Sequence, residues 1–323
     1  MLDQKSANEG GKEITDLPFT DLYVRLDEGN VLARFRPDPL RSRYAGNFSV
    51  PAAFAGDVKE IRDTLVGEMV NEGTITYKGL RLRYAKFLAA EGEKWAAVRA
   101  VPLDLPDIDA LGLDPTFARM LKGWGSRKGL IIVGGKTGDG KTTTCVAAIR
   151  HYLERLGGLA YTCEDPIEYQ MQGAISEKGF CLQYEVVDDR DWNPAIKRAM
   201  RTRPDYIFVG EVRTAEAAEG LLKAAVSGHL VISTIHAGSV SDTISAILNL
   251  AENKLGPVAR QIIADRLVAA VHQTLTRDGP RIECVAPTAG DPNDQAVSVI
   301  KSGDIANLSN QVKRYLPAKR AQA

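Results

Sequence analysis

Leu130-Ile-Ile-Val-Gly-Gly-Lys-Thr-Gly-Asp-Gly-Lys-Thr142 joins an apolar run, a glycine-rich turn and the start of a helical pattern. Its first four residues are an apolar, largely β-branched run of the kind a fully buried strand requires. The glycines interrupt that strand, and a helical pattern starts at Lys141. Within this frame Gly135-Lys136-Thr137-Gly138-Asp139-Gly140-Lys141-Thr142 has the spacing of a phosphate-binding loop, with the preceding strand and following helix that such a loop demands. The glycines let backbone N–H groups curl inward around phosphate oxygens, and the helix N-terminus adds a partial positive charge. Lys141 is expected to reach the outer phosphates and Thr142 to offer its hydroxyl to Mg²⁺, with Thr143 completing the nucleotide-binding set.

Downstream, apolar β-rich runs alternate with helical patterns: Leu159-Ala-Tyr-Thr, a helix near Pro194–Thr202, Tyr206-Ile-Phe-Val, a helix from Ala215, and Leu230-Val-Ile-Ser-Thr-Ile. That alternation predicts an α/β domain, 115–323, with a mostly parallel sheet covered on both faces and a C-terminal helical region. Upstream the pattern differs. Asp21-Leu-Tyr-Val-Arg-Leu and Val31-Leu-Ala-Arg-Phe-Arg alternate around Asp27-Glu-Gly-Asn as a hairpin would. A helix follows over Asp57–Asn71 with Val58, Ile61, Leu65 and Met69 on one face, then strands at Thr74–Tyr77, Leu80–Tyr84 and Trp95–Val101. This predicts a small α+β domain over 16–101, preceded by a loose polar terminus, 1–15. Prolines and aspartates over 102–114 mark the linker.

The 323 residues suit about two domains. Lys+Arg and Asp+Glu balance at 41 each, which speaks against a non-specific nucleic-acid binder. The four cysteines have no zinc spacing and read as buried thiols. The N-terminal residues carry no apolar signal core and no run of about 20 apolar residues occurs, so the expected compartment is the cytosol.

Phosphoryl transfer to water needs metal ligands and a group that orients the nucleophile. Glu211, at the end of the strand Tyr206-Ile-Phe-Val-Gly, leads for water activation, because the preceding position is Gly210. Glu164, with Asp165 and Glu168, ends the neighbouring strand and could hold metal-bound water. Thr142, Glu211 and Glu164 are therefore the expected Mg²⁺ set. His229 and His236, two of only four histidines, bracket another apolar strand, where an imidazole could sense the γ-phosphate.

Taken together, these residues resemble the secretion and pilus ATPase superfamily: pilus retraction ATPases, type II secretion ATPases, and the VirB11-like and DotB-like ATPases of type IV secretion and conjugation. The resemblance runs from about Asp16 to Leu275. Gly135–Thr142 looks like the family's phosphate loop, Thr162-Cys-Glu-Asp-Pro-Ile-Glu-Tyr169 its Asp box, Arg203-Pro-Asp-Tyr-Ile-Phe-Val-Gly-Glu-Val-Arg213 its Walker B strand, and Gly228–His236 its His box. Leu80-Arg-Leu-Arg-Tyr84 and Ala97-Val-Arg-Ala-Val-Pro102 resemble its arginine-bearing strands.

The resemblance implies a RecA-like P-loop NTPase domain preceded by a PAS-like domain. It implies a cytoplasmic homo-hexamer, peripheral at the inner membrane, that hydrolyses ATP between domains to drive a membrane platform protein. It also implies that Arg81, Arg83 and Arg99 reach nucleotide across a domain or subunit boundary, with no direct nucleic-acid contact. The four-cysteine motif of assembly-type ATPases is absent, and Asn293–Asp304 does not reproduce the retraction signature. A type IV secretion or conjugation ATPase of the retraction-like branch fits best. The rivals are a DNA translocase or helicase, a nucleotide-gated scaffold and a phosphate-loop kinase.

Overall fold

A computed structural model describes residues 13–29, 32–37, 46–101, 104–186, 188–291 and 293–318. The first twelve residues of the expected loose terminus, Val31 of the expected hairpin, and Pro102 and Leu103 of the expected linker lie outside the described residues. The chain divides into two compact units, Met1–Leu103 and Asp104–Ala323.

In the first unit, strands β1 (Phe19–Arg25), β2 (Ala33–Pro37) and β3 (Phe48–Ser49) precede helix α1 (Ala55–Gly67) and strands β4 (Glu72–Tyr77), β5 (Leu80–Leu88) and β6 (Lys94–Val101). Among the described residues they form a six-stranded antiparallel sheet in the order β3-β2-β1-β6-β5-β4. Strand alternation sends Leu22, Val24, Leu82, Tyr84, Ala96 and Val98 into one core, where α1 adds Val58, Ile61 and Leu65. Met69 does not continue that apolar stripe. The helix ends at Gly67 and Met69 is 99% exposed, because the chain turns out toward β4 before another helical turn can form.

The second unit begins with residues of the expected linker that pack into its core: Ile108 and Leu113 are buried. Asp114 then caps α2 (Pro115–Gly123), its Oδ1 accepting from the N–H groups of Thr116 and Phe117 at 2.8 and 3.2 Å. The elements that follow are β7 (Gly129–Gly135), α3 (Lys141–Arg155), β8 (Gly158–Glu164), β9 (Gly173–Ala174), β10 (Gly179–Glu185), α4 (Trp192–Arg201), β11 (Tyr206–Val209), α5 (Ala215–Val226) and β12 (Leu230–His236). Helices α6 (Val240–Leu255) and α7 (Val258–Arg266) lead to β13 (Leu267–Thr276), β14 (Gly279–Val285), α8 (Gln295–Ser302) and β15 (Lys313–Tyr315). The C-terminal part thus adds strands to the sheet as well as helices.

The sheet order is β15-β14-β13-β7-β12-β11-β8-β10-β9, with β13 through β10 parallel. All seven residues of β7 are buried, and they serve two cores in alternation. Leu130 and Ile132 join the core formed with α4 to α8, whereas Ile131 and Val133 join the one formed with α2 and α3. All four cysteines are buried, and burial pushes each thiol up to about 12, which leaves them as inert packing groups. No described helix is long and apolar enough to cross a membrane.

The closest packing lies where β7 approaches the phosphate loop. A Cβ on Gly134 would fall 2.0 Å from Thr243 Oγ1, and that hydroxyl is held by donation to the Ser239 carbonyl at 2.8 Å. Gly134→Ala is therefore expected to lower stability by about 1–3 kcal/mol, by forcing α6 off the sheet. Urea unfolding compared with wild type measures this, and an unchanged midpoint would show that α6 relaxes freely.

Candidate functional site

The parallel register sets the frame. Gly135 pairs with His236 at the C-terminal ends of β7 and β12, and Val209 pairs with Cys163 one residue before Glu164. The phosphate loop, Glu211, Glu164 and His236 thus gather at one edge of the sheet, the edge at which parallel α/β sheets bind ligands.

The loop is shaped by glycines at positive φ, Gly138 at +87° and Gly140 at +77°, and the latter stands immediately before α3. Nothing lies within 4 Å of a Cβ built on Gly138, so at that position the positive φ and not crowding favours glycine. Lys141 is only 8% exposed, and its Nζ donates to the Gly135 and Lys136 carbonyls at 3.1 and 3.0 Å. Burial lowers its pKa, and the charges of Glu211 and Asp139 oppose that shift. Asp139 ties the loop together: its Oδ2 accepts the Lys136 N–H at 2.7 Å and its Oδ1 the Leu275 N–H at 3.1 Å. Thr143 shares a hydrogen bond of 2.9 Å with the Tyr169 hydroxyl, which joins α3 to the segment after β8.

Glu211 follows β11 in a turn fixed to β12. Thr234 Oγ1 donates to the Gly210 carbonyl at 2.6 Å and the Val212 N–H to the Thr234 carbonyl at 2.9 Å. The Glu211 side chain is 16% exposed, and Arg213 holds its Oε2 through Nε at 2.7 Å. Its Oε1 faces His236 Nε2 at 2.8 Å.

Glu164 is the last residue of β8 and 2% exposed. Its Oε1 accepts from Thr162 Oγ1 at 2.6 Å and Gln183 Nε2 at 3.1 Å. Burial nevertheless raises its pKa to about 7, because these bonds to the anion only partly offset the lost hydration. Gly210 packs on it, a Cβ there falling in ordinary contact, 3.4 Å, from the Glu164 Cα.

His229 is not part of this gathering. It precedes β12 and its carbonyl accepts the Gly129 N–H at 3.0 Å, which puts it at the opposite edge of the sheet, about 20 Å from His236 along the strand. Its Nδ1 donates to the Pro204 carbonyl at 2.8 Å. A seven-residue strand separates the two histidines, and within one chain His236 is the one at the edge that carries the phosphate loop. In the other unit, Arg83 of β5 pairs in register with Arg99 of β6, and Arg99 Nε is bound to Asp21 Oδ1 at 2.8 Å. Arg81 lies two residues before Arg83, on the same sheet face.

Thr162, Gln183 and Tyr169, which hold Glu164 and α3, were not among the residues expected at the site. A polar side chain inside an apolar strand was the available signal for Thr162. Tyr169 closes the stretch that resembles the Asp box, which was its signal, whereas for Gln183 there was none, because it meets the site only through tertiary contacts.

The raised pKa of Glu164 gives stability a pH dependence. From about 4.5 upward the unfolded chain releases a proton that the folded protein retains until about pH 7, so the folded state loses ground across that window. Glu164→Gln is expected to gain on wild type by about 3 kcal/mol between pH 4.5 and pH 8, as measured by urea unfolding at both values. A difference independent of pH would contradict this.

The family model described as "Type II/IV secretion system protein" matches residues 71–300. The type IV pilus retraction ATPase PilT of Pseudomonas aeruginosa is 32% identical over 223 residues, which cover 68% of this chain and 62% of that protein. Against several other curated relatives the match spans about half of their length. The crystal structure of the pilus retraction motor PilT with bound ADP superposes with a TM-score of 0.71 at 25% identity, covering 92% of this chain and 86% of that one. The ATPase DotB of Legionella pneumophila shares the fold, with a TM-score of 0.69 at 18% identity over 93% of this chain and 86% of its own. With a matched family model over most of its length and a phosphate loop at the sheet edge, the chain belongs to the type II/IV secretion system protein family, within the secretion and pilus ATPase superfamily.

Proposed function

We propose that this chain is an ATP hydrolase that works as a ring motor for a type IV secretion, conjugation or type IV pilus machine. The observation that carries the reading is Glu211: a part-buried carboxylate just after β11, one oxygen held by Arg213 and the other facing His236 Nε2 at 2.8 Å, within the electrostatic reach of the phosphate-loop lysine.

On this reading Lys141 exchanges its two loop carbonyls for phosphate oxygens, the backbone N–H groups of 136–143 cradle the phosphates, and Thr142 and Glu211 supply oxygen ligands to Mg²⁺. Among the described residues no three His, Cys, Asp or Glu side chains converge as a metal cage. A hydroxyl and a carboxylate that leave room for phosphate and water suit Mg²⁺. The ion would neutralise charge on the phosphates when bound. Glu211 Oε1 orients the attacking water, and His236, 2.8 Å away, responds to the charge that develops there. Glu164, titrating near pH 7 behind Gly210, tunes the field at Glu211. Arg81, Arg83 and Arg99 are the residues that a neighbouring subunit would bring to the γ-phosphate.

Hydrolysis does mechanical work only through the difference between ATP-bound and ADP-bound states. A ring of identical subunits, a homo-hexamer by family likeness, would pass that difference to a platform protein of the inner membrane from the cytoplasmic side. The match to PilT and the fold shared with DotB support this placement.

Mg²⁺-dependent hydrolysis by purified protein, followed over a wide range of protein concentration, tests the proposal. The specific rate is expected to rise with concentration as subunits assemble. Glu211→Gln is expected to lower turnover at least about 100-fold with ATP binding retained. Equal rates in Glu211→Gln and wild type would remove the assignment.

A further inference from the structure

The side chain of Gln273 reaches the phosphate loop from β13, outside the four boxes quoted from the sequence. It is 1% exposed, and both ends of its amide are occupied. Nε2 donates to the Asp139 carbonyl at 2.6 Å, while Oε1 accepts from Thr144 Oγ1 at 2.8 Å. One amide therefore joins the turn of the phosphate loop to the first turn of α3, bridging from 139 to 144 over the four residues between, including Lys141 and Thr142. The backbone of the same strand takes part. The Leu275 N–H donates to Asp139 Oδ1 at 3.1 Å, and a Cβ on Gly135 would fall 2.5 Å from the Gln273 carbonyl oxygen.

A loop whose N–H groups must converge on phosphate loses affinity if they wander, because ordering them is then part of the binding free energy. The glycines at 138 and 140 make this loop intrinsically permissive. Within the loop the Lys136 N–H donates to Asp139 Oδ2 at 2.7 Å and the Asp139 N–H to the Lys136 carbonyl at 3.2 Å, while the tie to α3 through Lys141 Nζ is one that phosphate would take over. Gln273 supplies a link between loop and helix that does not depend on Lys141, with the amide orientation set by its two partners: a carbonyl accepts only from the NH₂ end, and a threonine hydroxyl then donates to the oxygen end.

We propose that Gln273 is the positioning residue of the phosphate loop: through Asp139 and Thr144 it holds loop and helix in the spacing that nucleotide phosphates require. The inference rests on the nucleotide-binding reading above. It adds that β13, which follows α6 and α7, sets phosphate affinity without touching nucleotide.

The near-isosteric Gln273→Met keeps the volume and removes both bonds, and Thr144→Val removes one of them from the other side. Kd for ADP by titration calorimetry, KM and kcat for ATP, and the melting temperature without nucleotide are measured for wild type and both variants. Gln273→Met is expected to raise Kd and KM about tenfold and Thr144→Val about threefold, with kcat changed less than about threefold, the pattern of lost binding with the chemistry intact. A folded Gln273→Met or Thr144→Val with wild-type Kd and KM overturns the proposal. So does a loss of activity that tracks melting temperature while KM stays fixed. If Gln273→Met does not fold, the Thr144→Val result decides. Wild type that binds no ADP overturns the nucleotide reading itself, a result distinct from variants that bind as wild type does.

Discussion

The close approach of backbones at the end of β7 is the constraint on which the rest of the site depends. Two successive glycines there meet other elements at distances that no side chain tolerates: Gly134 against the Thr243 hydroxyl, and Gly135 against the Gln273 carbonyl. Packing this tight brings α6 and β13 up to the strand and leaves the chain one way forward, into the phosphate loop. Everything with chemical consequence sits within a few residues of that point in register: His236 beside Gly135, the Glu211 turn pinned to Thr234, and Glu164 beneath Gly210.

Around this point the site is polar yet poorly hydrated, which explains its electrostatics. Lys141 is buried and turned onto carbonyls of its own loop, so its pKa falls. Glu164 is buried among Thr162 and Gln183 and its pKa rises to about 7, although both neighbours donate to it. A lysine that gives up its proton more readily and a carboxyl that keeps its proton longer, both through the same desolvation, are the arrangement expected where charge is to be handled by ligands and not by water. Glu211 differs from both. It is partly exposed, with Arg213 on one oxygen and His236 on the other, so it stays in contact with groups that can respond to a change of charge.

The histidines show how far a motif can be trusted. His229 and His236 flank one apolar strand, and in the sequence they look equivalent. A strand of seven residues carries its two ends to opposite edges of a parallel sheet, so within one chain only His236 can face the phosphate loop. Met69 teaches the same lesson in the first unit. Helical spacing continued past Val58, Ile61 and Leu65, but the helix stops at Gly67 and Met69 projects into solvent.

Sequence by itself determined the α/β alternation, the strand–loop–helix that binds phosphate, and the carboxylates at the ends of β8 and beside β11, because each is a local pattern: period, glycine spacing, or an acidic residue closing an apolar run. It also carried the family, through four boxes in a fixed order. Tertiary structure alone decided which of those residues meet. Strand register excluded His229, burial set the proton affinity of Glu164, and the return of β13 to the side of β7 carried Gln273 to a loop 134 residues earlier in the chain. No local pattern encodes that return, since the hydrogen bonds that fix it exist only once α6 and α7 have packed and delivered the strand.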